Sequence, residues 1–254
     1  MTEGAVGRLD IDVEARNTEL EKKSAEEIVR WAVETFRPRI ALTTSFGSGS
    51  AVLLHMVAQA DRSTPVLFLE TGFHFKETLA YKDELAGLLK LNVRELKRDL
   101  SPEAFFGKLG PKPYEKNPDE CCRINKVEPF KKALADFDAW ISGIRRSQAH
   151  TREHIRVVES YEEGLIKVNP LAAWNSKQVH EYMKQHNLPQ HPLFAKGYLS
   201  IGCEPCTRAV LSGENERSGR WANLEKTECG IHTFMKPAPA DASGSAKTKA
   251  SKES

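Results

Sequence analysis

The stretch Ile40-Ala41-Leu42-Thr43-Thr44-Ser45-Phe46-Gly47-Ser48-Gly49-Ser50 changes character twice. Ile40–Thr44 is a short β-type run, Ser45–Ser50 interrupts it with two glycines and three hydroxyls, and Ala51–Ala60 follows as an apolar helix. The alternation then repeats: Pro65–Leu69 reads as a buried strand, Glu70-Thr71-Gly72 breaks it, and a helix runs from about Phe75 to Lys90. Upstream, Ile28, Trp31, Ala32 and Phe36 mark one face of a helix over Ser24–Phe36, which Pro38 ends. Downstream, Ala139–Ser142 and Leu165–Val168 read as strands, and Asn175-Ser176 opens an amphipathic helix to about Gln185, with Val179, Tyr182 and Met183 inward. Strands alternating with helices predict a three-layer α/β/α, doubly wound, mostly parallel, Rossmann-like sheet, with ligands at the carboxyl ends of its strands. The expected organisation is an N-terminal arm over 1–20, a nucleotide-binding body over 21–210, a mobile C-terminal segment over 211–235 and a disordered Ala/Pro/Ser/Lys tail over 236–254.

The chain has 254 residues, with 37 Lys+Arg against 35 Asp+Glu and a formal charge of +2, which argues against a broad nucleic-acid footprint. Anion binding must then be local. The longest apolar run, Ala51–Ala60, is short of the roughly 18–20 residues that span a bilayer. Met1–Asn17 is polar and acidic without the apolar core of a leader, so a reducing, cytoplasmic setting is expected.

Five cysteines form a vicinal pair, Cys121-Cys122, a C-x-x-C at Cys203 and Cys206, and a lone Cys229. Disulfides fit a reducing compartment poorly. A single zinc ion favours two well-separated C-x-x-C knuckles, and adjacent cysteines suit that geometry badly. A cluster offers each thiolate its own iron, so the pattern favours an iron–sulfur site, with zinc and unligated thiols as alternatives. Asn117-Pro118-Asp119-Glu120 reads as an N-cap, a first-position proline and first-turn acids, which places the pair at a helix start with Glu120 at the capping-box position. Lys126, four residues after Cys122, lies on the same face and can bring positive charge there; the alternative is an ordinary solvated lysine.

Ser45–Ser50 can wrap backbone N–H groups around a phosphate, without the lysine of a Walker loop. Arg145, Arg146 and Arg152 follow a strand end, where they converge on an anion or are solvated surface charge. Arg217 and Arg220 precede the odd thiol, Cys229, and guanidinium groups bind phosphate and sulfate through a planar fork. A cation-rich setting favours Cys229 as a thiolate nucleophile over an inert spare cysteine.

Cys121-Cys122-Arg123-Ile124-Asn125-Lys126-Val127-Glu128-Pro129-Phe130, the run Gly197–Arg208 around Cys203 and Cys206, Glu216–Trp221, and Glu228-Cys229-Gly230-Ile231-His232 together resemble the assimilatory adenylyl-sulfate (APS) reductases, over about Ala41–His232. That resemblance implies an adenine nucleotide α-hydrolase-like fold and one [4Fe-4S] cluster per subunit on Cys121, Cys122, Cys203 and Cys206. It implies catalysis by Cys229 with His232, Arg217, Arg220 and Lys126. Substrate contacts are implied for Ser45, Phe46, Gly47, Ser48, Ser50, Glu70, Thr71, Gly72, Arg145, Arg146 and Arg152. The implied reaction is reduction of APS to sulfite and AMP through an S-sulfocysteine, with a thioredoxin or glutaredoxin-like reductant, in a homo-oligomer. Two departures are conservative: Glu70 stands where the family often has aspartate, and Ile231 where leucine is usual. Related PAPS reductases share the terminal motif and lack the cluster cysteines, so APS is the expected substrate. The rival expectations are PAPS reduction, an adenylating or ATP-pyrophosphatase activity on the same fold, and an iron–sulfur redox-sensing module.

Overall fold

The computed structural model describes Leu9, residues 11–222 and residues 224–235. The expected tail over 236–254 lies outside the described residues, as does nearly all of 1–10. Six strands build one sheet in the order β3-β2-β1-β4-β6-β5: β1 Ile40–Thr44, β2 Pro65–Leu69, β3 Asn92–Leu96, β4 Ala139–Ser142, β5 Val158–Ser160 and β6 Ile166–Val168. All pair parallel except β5, which runs antiparallel to β6. The helices are α1 Val13–Leu20, α2 Ala25–Phe36, α3 Ser50–Ala60, α4 Lys76–Leu89, α5 Pro102–Leu109, α6 Pro113–Lys116, α7 Pro118–Cys122, α8 Glu128–Leu134 and α9 Ser176–Gln185, with a π-helical turn over Arg123–Val127.

The layers follow from the period-two pleat of the strands. Ile40, Leu42, Val66, Phe68 and Ile141 face the core shared with α2, α3, α4 and α9, whereas Ala41, Leu67, Leu69 and Trp140 face Phe130 and Leu134 of α8. Each fully buried Leu, Ile or Phe on these faces contributes roughly 1.5–3 kcal/mol by leaving water. The predicted α/β/α fold is present. The chain leaves β1 outward through β2 and β3, then returns to lay β4 on β1's other side, so the order reverses between β1 and β4. The crevice at that reversal, beyond the strands' carboxyl ends, is where such sheets place ligands.

Sequence reasoning missed β3 and β5. Both are edge strands, β3 is largely exposed, and neither carries the apolar run that marks a central parallel strand. The expected arm is a docked helix over its second half: Asp12 caps α1, and Asn17 exchanges hydrogen bonds with the backbone of Val158 on β5, at 2.8 and 3.0 Å. Among the described residues no helix is long and apolar enough to cross a membrane.

Candidate active site

The crevice holds a cavity of about 480 Å³, within the range that accommodates a nucleotide-sized ligand. Ser45, Gly47, Ser48, Gly49 and Ser50 line one wall, with Leu53, Leu171, Val179 and Met183 giving an apolar side. Ser48 Oγ donates to the Leu199 carbonyl at 2.6 Å and ties this loop to the strand of chain that leads to Cys203. Gly49 brings no side chain to cap α3, so first-turn N–H groups of α3 remain for a ligand. A Cβ there would come 3.4 Å from the guanidinium of Arg145, so the loop and that arginine pack closely. Phe46 corrects the expectation of substrate contact: it is fully buried and packs edge-on against Phe68, with ring centroids 5.5 Å apart. The apolar ring anchors the loop while its hydroxyl neighbours face the cavity.

Opposite this loop stand Lys126, Arg145, Arg152, Arg217 and Arg220. Arg145 donates to Glu216 at 2.8 Å. Arg152 grips Glu228 through a fork of two bonds, both 2.7 Å, and donates its remaining amino group to Gln148 at 2.6 Å. Arg217 reaches the same Glu228 carboxylate at 3.1 Å and the Thr227 carbonyl at 2.8 Å. Arg220 stacks over Trp221 at 4.4 Å, and a Cβ on Gly202 would overlap its guanidinium, so any side chain there would have to displace that cation. Among the described residues, five cations thus face two carboxylates, a surplus of three positive charges suited to a multiply anionic ligand. Burial, reinforced by Arg152 beside it, lowers Arg217 to about 10. Burial alone would raise Glu228, but hydrogen bonding and charge from Arg152, with Arg217, hold its carboxyl below the usual range.

Arg146 does not join them. Its guanidinium turns to the Ile155 carbonyl and to Glu21 at the end of α1, an ion pair on the outer surface. The backbone passes from extended at Arg145 into a single 3-10 turn that begins at Arg146, and Arg145 enters the crevice while Arg146 leaves it. Glu216 and Glu228 were quoted in the sequence motifs without a role. Their partners lie 71 and 76 residues away, which local pattern cannot reveal.

Below this cavity, Cys121, Cys122, Cys203 and Cys206 line a second, small one, walled by Phe73, Tyr114, Pro118 and Pro205. Asn117 caps α7 as expected, accepting from the Glu120 amide at 3.1 Å, but Glu120 turns to Arg123 at 2.6 Å and completes no capping box. The π-helical turn is what sequence could not show. It widens the helix after Cys122 and carries Lys126 into a buried position within electrostatic reach of Cys203, Cys229 and Cys122. Desolvation works against that ammonium, yet the sulfurs hold its pKa above the ordinary lysine value. Glu70, Thr71 and Gly72 are a second correction: none lines the nucleotide-sized cavity. Thr71 Oγ1 sits 3.4 Å from Cys203 Sγ, and Glu70 accepts from the Gly72 amide at 2.6 Å.

All the cysteines are free. Burial first, then the neighbouring thiols, push Cys121 up to about 12 and Cys206 to about 11. For Cys203 burial opposes ionisation, but Lys126 and the Thr71 hydroxyl pull its pKa down. Among the described residues no group of three or more His, Cys, Asp or Glu side chains is arranged to hold a single metal ion. The donor set nevertheless fits an iron–sulfur cluster: four sulfurs on one apolar-walled cavity, with the Lys126 ammonium also lining it.

Cys229 is half-buried on the large cavity, and Gly230 after it takes a left-handed φ of 89° while packing on Val127. His232 lines the same cavity. Burial, with the charges of Lys167, Arg152 and Arg217, drops its pKa well below the ordinary value and keeps it neutral, and its Nδ1 has no partner among the described residues. Ile231, Phe234 and Met235 then pack on the α8 face of the core, Phe234 meeting Phe130 at 5.8 Å. The C-terminal segment over 211–235, in its described residues, thus has contacts with the body on both sides of Cys229.

The family model of the phosphoadenosine phosphosulfate reductase domain matches residues 39–209, the span from β1 through the C-x-x-C. The chain belongs to this family. Within the phosphoadenosine phosphosulfate reductase family it is 47% identical, over 83% of its length and 82% of the relative's, to a Mesorhizobium japonicum protein named adenosine 5'-phosphosulfate reductase. It is 43% identical, over 84% of its length and 90% of the relative's, to a Gloeobacter violaceus protein named phosphoadenosine 5'-phosphosulfate reductase. Among solved structures, a Candida auris phosphoadenylyl-sulfate reductase in a phosphate complex superposes with a TM-score of 0.70 at 31% identity, covering 80% of this chain and all of that one.

Proposed function

We propose that this chain reduces adenosine 5'-phosphosulfate to sulfite and AMP through an S-sulfocysteine at Cys229, as a step of assimilatory sulfate reduction. The observation that carries this is the meeting of three things in one cavity: the Ser45–Ser50 loop at the head of α3, a surplus of buried cations, and the half-buried Cys229 thiol. The names of the similar proteins support the same chemistry.

The adenosine lies on the apolar side against Leu53, Val179 and Met183, and the phosphosulfate faces the arginines. Cys229 thiolate attacks the sulfate sulfur, the sulfur–oxygen bond to the phosphate breaks, and its electron pair leaves with AMP. Lys126, Arg217 and Arg220 offset the charge that builds on the transferring group. His232, held neutral, can hydrogen-bond the departing oxygen without adding a further cation. A thioredoxin or glutaredoxin-like dithiol then attacks Cys229 Sγ. The sulfur–sulfur bond breaks with its electron pair on sulfite, and the second thiol of the reductant resolves the mixed disulfide. Sulfur gains the two electrons that the dithiol loses. Cys121, Cys122, Cys203 and Cys206 would hold one [4Fe-4S] cluster, which when bound supplies a structural cross-link and a local charge beside Lys126.

Sulfite release measured with APS and with PAPS, thioredoxin present, tests the proposal. APS should be used far better. Comparable kcat/KM for both would favour a dual-specificity reading, a preference for PAPS would favour the activity that the Gloeobacter relative's name gives, and release from neither would end the proposal.

A further inference from the structure

We propose that Glu228 is an internal oxyanion for the arginine cradle: it holds the donors that an incoming sulfonate or phosphate must take, so substrate binding and release of the Cys229 segment are one exchange. The idea rests on the APS reading, whose anionic group it places on Arg152 and Arg217.

The Glu228 carboxylate accepts Arg152 Nε on one oxygen and Nη2 on the other, each at 2.7 Å, the side-on fork that guanidinium offers to carboxylate and phosphate alike. Arg217 Nη2 adds a bond at 3.1 Å and Thr151 Oγ1 another at 3.3 Å. The site is enclosed, with Glu228, Arg152 and Arg217 side chains only 12%, 8% and 12% exposed. Arg152 has its last amino group on Gln148. A tetrahedral oxyanion cannot use the Arg152 fork while a carboxylate fills it.

Glu228 is covalently next to Cys229, in a stretch with neither helix nor strand, so no regular backbone hydrogen bonding holds it in register. Gly230, left-handed, gives that stretch a swivel two residues on. When the substrate's anion takes the fork, the carboxylate lets go, and the Cys229 backbone it had pinned is free to turn its thiol toward the bound group. When the anion departs, the carboxylate returns. The apparent affinity for the anion is then the intrinsic affinity of the cradle reduced by the fraction of chains in which Glu228 has let go. An ordinary structural ion pair makes the opposite prediction. Removing its acid would loosen the arginines and weaken anion binding.

The experiment uses the iron-loaded full chain with Cys229→Ser to stop chemistry, alone and combined with Glu228→Gln. Calorimetric titration with APS, and separately with inorganic sulfate, should show at least tenfold tighter binding of both to the double variant, at matched iron content and melting temperature. Equal or weaker sulfate and APS binding overturns the inference. Failure of APS to bind either protein, with sulfate still gaining tenfold, leaves the cradle exchange standing and sinks the substrate assignment instead. Should Glu228→Gln fail to fold, Glu228→Asp keeps the charge one methylene short of both arginines. It should give a smaller gain, and no gain would again overturn the exchange.

Discussion

Cys121, Cys122, Cys203 and Cys206 line a small cavity walled by Phe73, Tyr114, Pro118 and Pro205, whereas Cys229 lies half-buried on a cavity lined by four arginines. Lys126 borders both. The difference lies in the supply of charge. In the first region Lys126 is the one cation lining the cavity among the described residues, and burial pushes Cys121 and Cys206 up to about 12 and 11, so those two thiols need metal charge to ionise. In the second, positive charge exceeds the carboxylates, and the surplus can serve a thiolate and an oxyanion together. On the proposed reading, one residue type is thereby divided between holding a cofactor and doing chemistry.

The largest test removes one sulfur from each region. Cys203→Ala should lose its iron, normally about four per chain in a cubane cluster, and its activity together. Cys229→Ser should keep its brown colour and iron while activity falls by at least about a thousandfold. Intact mass after mixing with APS, without reductant, should show one added sulfo group on the wild type and none on Cys229→Ser. A fully loaded Cys203→Ala protein, or an adduct mapped to one of the four buried cysteines, would erase the division.

Gly202→Ala probes the boundary between the regions. The new Cβ would overlap the Arg220 guanidinium and force it off Trp221, while the cysteines on either side stay in place. The expected loss is on the order of 10–100-fold in kcat/KM, with iron retained, because a cation displaced by about an ångström loses much of its effect on the transition state. Gly107→Ala in α5 is the control: nothing lies within 4 Å of its added Cβ, and helix propensity should make it neutral or more stable by roughly 0.5–1 kcal/mol. Equal losses in the two variants would show that Gly202 matters for folding alone.

The cavity with Cys229 should also respond to acid through His232. Its folded pKa is depressed, by burial first and then by Lys167, Arg152 and Arg217, so the unfolded chain binds the proton more readily. The stability it contributes is fully present above its unfolded value, near 6.5, and is lost as pH falls below that, by up to about 1.4 kcal/mol per pH unit. His74 and His191 are also buried with lowered pKa values, so the wild-type trend is a composite. Melting curves at pH 7.5 and 5.5 should therefore be compared with those of His232→Asn, whose acid-induced drop should be smaller. An equal drop would mean that His232 is not held neutral.

The body of the fold was legible because β1, β2 and β4 are buried on both faces and spell continuous apolar runs. β3 and β5 were not, since an edge strand can be polar and still pair. At the site, side chains beside glycines in the quoted motifs line the crevice, as for Ser48 and Arg220. What failed was direction and distance. Phe46 and Thr71 stand within the right loops but face the core and the sulfur cavity, and the acids on the arginines come from far along the chain.

Arg145 and Arg146 give the smallest and cleanest contrast, because sequence gives them equal standing. Arg145 is 6% exposed, lines the cavity and pairs with Glu216; its replacement by alanine removes a buried cation from the anion's side and should cost on the order of a hundredfold in kcat/KM. Arg146 holds Glu21 and the Ile155 carbonyl on the far side of the same backbone, away from the cavity. Its guanidinium is about one-third exposed, and the ion pair it forms is of the surface kind that contributes little, so Arg146→Ala should cost no more than about 1 kcal/mol of stability. Kinetic constants for APS should stay within about twofold of wild type, the scale of ordinary surface substitutions. A large loss of kcat/KM in Arg146→Ala at unchanged melting temperature would mean that the loop rotates its two arginines when substrate binds, and that the cavity has a second arrangement in which Arg146 faces the anion.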